Sequence, residues 1–125
     1  MEDISQQLRY QRLRNRVIEL LEMHSSFEDM AALGAFEMIN TVDDWLPLEY
    51  SETPKVFSEK EKEAVSQFIE FAEVAAEATN SDTWDVEYFQ GTEEWVRLSE
   101  FSKHALVIFE KRGRFSEETE ENLTA

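Results

Sequence analysis

Two histidines, 28 carboxylates and no cysteine limit the chemistry that this 125-residue chain can offer. His104 follows Glu100 by four residues, which puts both on one face of a helix and would give a metal two ligands; the HExxH arrangement that completes such helices is not there. His24 falls at the expected end of a helix, where an imidazole interacts favourably with the dipole. Asp43 with Asp44 and Glu93 with Glu94 could act as carboxylate pairs, but among 28 acids adjacency is commonplace. General acid catalysis also needs burial, and no loop has the EF-hand pattern. The serines lack a GxSxG elbow, no thiolate is possible, and no glycine-rich loop could cradle a phosphate. These residues define no reaction. The chain reads as non-enzymatic, with no catalytic residue, cofactor or metal assigned; a carboxylate/His metal-dependent hydrolase using His104 is the enzyme alternative.

Charge says more. From Val17 to Pro54, and again from Glu63 to Trp95, every charged residue is Asp or Glu, and the formal net charge is -16. Such a field attracts cationic partners and repels bare nucleic acid and anionic lipid. Two acidic segments also carry aromatic anchors of the kind that dominate interfaces: Asp43, Asp44, Trp45 and Tyr50, and Trp84, Asp85 and Tyr88. These seven are the expected partner-binding residues. Their bland reading is that the tryptophans are core and the acids are solvated helix faces. The one basic patch, Arg9, Arg12, Arg14 and Arg16 around Tyr10, could meet phosphate or serve a helical regulator, but Arg's planar fork equally suits carboxylates on neighbouring helices. No direct nucleic-acid binding and no membrane contact are expected.

The elements that must position these residues are helical. Apolar residues recur at spacings of three and four, broken by only three Gly and two Pro. The pattern predicts a first helix over 4–24 with Tyr10, Leu13, Val17, Leu20 and Leu21 on one stripe. Ser26 and Asp29 predict a second helix from about Phe27 to Trp45, in which Gly34 marks either close packing or a break into two. LPLEYSETP, around Pro47 and Pro54, reads as a loop. Ser58 and Glu61 form a capping box for a third helix whose alanine-rich stripe favours close approach of a neighbour. Residues 82–90 fit either a two-turn helix capped by Asp82 or a strand. A last helix opens at Thr92 and closes at Gly113 with Phe115 as its hydrophobic closing contact.

The fold class that follows is all-α, a single-domain bundle of four or five helices over residues 1–115. Residues 116–125 are expected to form an acidic, disordered tail. An opening without an apolar core and the lack of any long apolar run suggest the cytoplasm. Small, cysteine-free, helical and strongly acidic, the chain resembles in general character the immunity proteins that neutralise bacterial toxins and phage-type DNA-mimic inhibitors. That resemblance covers no motif and carries over no site residue. It implies an acidic binding protein that covers a basic protein surface, most simply an immunity-type inhibitor of a toxin or nuclease, of unknown oligomeric state.

Overall fold

A computed structural model of the chain describes residues 4–46 and 56–123. Among these residues there are six helices and no strand: α1 (Gln6–His24), α2 (Phe27–Leu33), α3 (Ala35–Trp45), α4 (Glu59–Glu77), α5 (Val86–Gly91) and α6 (Glu93–Glu110). The bundle thus has six helices where four or five were expected, because the segment from Phe27 to Trp45 breaks at Gly34. Residue 34 has φ of 88°, a conformation that side chains disfavour, and it ends α2 and begins α3. Both consequences of this glycine hold together, since the break is also a close-packing point. A Cβ there would lie 2.5 Å from Nε1 and 2.7 Å from Cε2 of Trp84. Residues 86–91 form a helix rather than a strand, capped by the Asp85 carboxylate accepting from the Glu87 N–H. The expected loop around Pro47 and Pro54 lies outside the described residues.

α4 and α6 share the most extensive contact of the bundle, and α1 lies against α6. α4 and α6 run antiparallel. At one end Trp95 Nε1, in the first turn of α6, donates to Thr79 Oγ1 just past the end of α4 at 3.0 Å. At the other, the first turn of α4 meets the end of α6 through Glu61 and Arg112. Ala72 and Ala75 on the buried side of α4 let α6 approach closely. The core between the helices holds Leu20, Leu21, Met38, Phe57, Phe68, Phe89, Trp95 and Phe109. Each large apolar side chain taken fully out of water contributes roughly 1.5–3 kcal/mol. Phe89 and Trp95 meet edge to face with ring centroids 4.9 Å apart, which fixes α5 against α6.

A buried ion pair, Arg14 with Glu61, sits inside this frame, and Arg112 joins it from the surface. Glu61, at the third position of α4, completes the Ser58 capping box and also accepts from two arginines. Arg14 of α1 meets it with both arms of its fork, Nη2 to Oε2 at 2.8 Å and Nε to Oε1 at 3.1 Å. Arg112 reaches the same carboxylate from beyond α6. Burial alone would push the Glu61 carboxyl up; the hydrogen bonds from Arg14 and Arg112, the Arg14 charge and the Ser58 N–H outweigh it and hold the carboxyl below its ordinary range. Arg14 also donates to the carbonyls of Phe109 and Gly113, closing the C-terminal end of α6, and its guanidinium lies 4.1 Å from the centre of the Phe115 ring. Anion at the start of α4 and cation at the end of α6 both follow the helix dipoles.

Past Gly113, whose φ is 69°, the chain runs back along α1. Gln11 donates to the carbonyls of Ser116 and Thr119 at 2.9 Å, and Asn15 exchanges bonds with the backbone of Phe115. Composition predicts a disordered tail over residues 116–125; bonds from Gln11, Arg12 and Asn15 of α1 run to the carbonyls of residues 115–119. No helix of the described residues is long and apolar enough to cross a membrane.

Candidate interaction surface

Trp84 stands out because it is positioned without being buried. Its side chain packs on Gly34, yet the residue is 61% exposed, whereas Trp95 is 1% exposed. The segment leading to it is pinned by backbone bonds to the start of α3. The Ala35 N–H donates to the Thr83 carbonyl at 2.9 Å, and the Phe36 N–H donates to the Asp82 carboxylate at 2.9 Å. With glycine as its first flanking residue, α3 has no side-chain cap of its own, so Asp82 supplies one from a distance. The sequence assigned Asp82 to the α5 cap; Asp85 takes that role. Phe36 and Leu33, on either side of Gly34, are themselves 45% and 37% exposed. Three large apolar side chains therefore surround one rigid junction at the surface.

The outer face of α3 continues from this junction. Phe36, Asn40, Asp43 and Asp44 stand at i, i+4, i+7 and i+8, the spacing of one helical face, and all four are exposed. From Phe36 to Asp44 the rise is about 12 Å at 1.5 Å per residue. The two sequence clusters thus lie toward opposite ends of α3, with the aromatic contact at its start and the acid pair at its end. Asp85 and Glu87 are exposed beside Trp84, and Glu37 is exposed next to Phe36. Tyr88 is partly buried, packing against Phe89 with centroids 5.6 Å apart, so it supports the surface more than it presents itself. Trp45 is placed by its backbone at the end of α3, and Tyr50 lies outside the described residues. Leu33 and Phe36 were missed by sequence reasoning; the signal was there in Phe36, which falls off the apolar stripe of Met38 and Val42.

The other candidates separate cleanly. Arg14 is buried, Arg16 pairs with Glu19 and Glu117, and Arg12 donates to the Glu117 carbonyl at 2.7 Å. Only Arg9 of that patch is fully at the surface. Glu100 and His104 are both exposed on α6, and among the described residues no group of three or more His, Asp or Glu comes together to hold a metal. His24 is buried, with Nδ1 on the Leu20 carbonyl at 2.8 Å and its ring edge to face with Phe68. Burial pushes its pKa down to about 4, against a smaller upward effect of the Leu20 hydrogen bond.

Set beside known proteins, the chain matches no family model, no curated protein and no solved structure. Its function is read from its own geometry.

Proposed function

We propose that this chain is a non-enzymatic acidic binding protein that covers a basic protein surface, as an immunity-type inhibitor of a toxin or nuclease does. The observation that carries the proposal is the exposed Trp84 held against Gly34, with Asp85, Glu87 and Glu37 exposed near it and the Asp43 and Asp44 pair farther along α3. An aromatic anchor in a pre-set position loses little conformational freedom on binding, so more of its contact appears as affinity. The surrounding carboxylates steer a cationic partner and raise its association rate without needing to be buried. Asp43, Asp44, Trp84 and Asp85 are the contacts this reading requires; Phe36 and Leu33 extend the apolar centre.

The test is capture from nuclease-treated lysate of the source organism by wild-type protein, by Trp84→Ala and by the Asp43→Lys/Asp44→Lys/Asp85→Lys triple variant. One basic protein should bind wild type at low salt, elute as salt rises, and be retained at least tenfold less by either variant. Equal retention by all three proteins would overturn the assignment of this surface.

A further inference from the structure

We propose that the polar stripe of α1 is a peptide-binding groove, filled in the free protein by the chain's own residues 115–121, whose outside ligand is an acidic peptide with an aromatic residue two places before a glutamate. Gln7, Gln11 and Asn15 stand at i, i+4 and i+8 on one face of the helix, with Arg12 and Arg16 beside them. Most of their bonds go to backbone. Asn15 holds one residue from both sides, its Nδ2 donating to the Phe115 carbonyl at 2.8 Å and its Oδ1 accepting from the Phe115 N–H at 3.0 Å. Gln11, besides its bonds to the Ser116 and Thr119 carbonyls, accepts from the Glu121 N–H at 2.8 Å, and Gln7 donates to the Glu121 carbonyl at 2.8 Å. Main-chain bonds of this kind give a groove affinity for a peptide of any sequence, and side-chain contacts add selectivity.

Two such contacts set the preference. The Phe115 ring lies under the guanidinium groups of Arg14 and Arg112, 4.1 and 5.0 Å from its centre. The Glu117 carboxylate accepts from Asn15 Nδ2 at 3.0 Å and from Arg16 Nη2 at 2.8 Å. The occupying segment is also built to lift. Its hydrogen-bonding partners on α1 are polar, and water satisfies them once it leaves; it joins α6 through Gly113, at φ 69°, so no helix has to unwind. Local opening of a chain end costs far less than global unfolding. The chain as a whole is acidic, but at physiological salt charges beyond about 8 Å are screened, so the arginines in direct contact decide what the groove accepts. The groove shares no residue with the Trp84 surface and stands or falls apart from the function proposed above.

Fluorescence anisotropy of a labelled peptide FSEETEEN, the sequence of residues 115–122, with the full chain at pH 7 and physiological salt tests this. Wild type should bind it weakly, because the tethered copy competes at an effective concentration on the order of 1 mM. Glu117→Lys, at a partly exposed position, sets a lysine against Arg16 and loosens the tethered copy; this variant should bind the peptide about tenfold more tightly than wild type does. Arg16→Glu should reverse the choice and prefer, by a similar factor, the peptide with lysine in place of its first glutamate. A scrambled peptide of the same composition should bind none of the three proteins. In wild type, hydrogen exchange of the Phe115 and Glu121 amides should run well ahead of that of Ala105 in the buried part of α6. No gain on Glu117→Lys, equal binding of the scrambled peptide, or exchange of the Phe115 and Glu121 amides only as slowly as Ala105 would each overturn the proposal. A wild-type dimer in light scattering that Arg16→Glu dissolves would assign the groove to a second copy's tail and overturn it likewise.

Discussion

Replacing Glu61 with Gln keeps the side chain's shape and removes its charge, which separates the electrostatics of the Arg14, Glu61 and Arg112 cluster from its packing. In the native fold the Arg14 side chain is fully buried and that of Glu61 is 2% exposed. Removing one partner of a buried ion pair costs roughly 3–5 kcal/mol, because the remaining charge cannot regain water. Gln retains one acceptor oxygen for Arg14 or for the Ser58 N–H, so Glu61→Gln should fall near the lower end and Glu61→Ala near the upper. Arg14 keeps its bonds to the Phe109 and Gly113 carbonyls in both variants, which limits the loss. Against a total stability of about 5–15 kcal/mol, even the smaller figure is a large share. Urea unfolding at pH 7, followed by far-ultraviolet circular dichroism, should show the midpoint falling by about 2 M for Glu61→Gln at a slope near 1.5 kcal/mol/M. Glu93→Gln is the control. It breaks an exposed pair with Arg97, and should cost under about 0.5 kcal/mol. The Glu61→Gln loss should persist in 0.5 M salt, since buried pairs are screened much less than surface ones. A Glu61→Gln midpoint matching that of Glu93→Gln would refute the argument that this carboxylate ties α1, α4 and α6 together.

Two further outcomes follow from single residues. Gly34→Ala should destabilise by more than about 2 kcal/mol, since strain at positive φ costs roughly 1–3 kcal/mol and the new Cβ collides with Trp84; thermal unfolding with tryptophan fluorescence would register both the loss and the displaced indole. His24 takes up a proton in the unfolded chain at about 6.5 but in the fold only at about 4, so between these values the unfolded state binds more protons and stability rises with pH. Acidification from pH 6.5 to 4 should therefore remove up to about 3 kcal/mol, at a slope no steeper than about 1.4 kcal/mol per pH unit, measurable by urea unfolding at several pH values. A flat profile between pH 6.5 and 5 would show that His24 is not buried in its neutral form.

The helices that the sequence revealed are those whose codes are local. Ser26, and Ser58 with Glu61, cap where their spacing says they should, and Gly113 ends α6 with the positive φ that its position requires. Hidden were the features written across long separations. Arg14 looks like part of a basic surface patch, because nothing near it in sequence shows that Glu61, Arg112 and the end of α6 converge on it. Gln11 and Asn15 carry no local signal in the sequence, yet they are buried as partners of residues 115–121. Asp82 is a plausible local cap whose actual donor lies 46 residues earlier. In the candidate surface, the acids and Trp84 were legible from composition, whereas the exposure of Phe36 depends on how α3 rotates against α4.

The polar stripe of α1 has a consequence for the order in which the molecule is made. Gln11, Arg14 and Asn15 emerge from the ribosome early, but their carbonyl partners, from Phe109 through Thr119, follow 95 to 108 residues later. Until that last stretch appears, the first helix carries an inner face that water satisfies better than any part of the nascent chain can. Its docking is therefore deferred until residues 109–119 have been made, so α1 waits on the segment that follows α6.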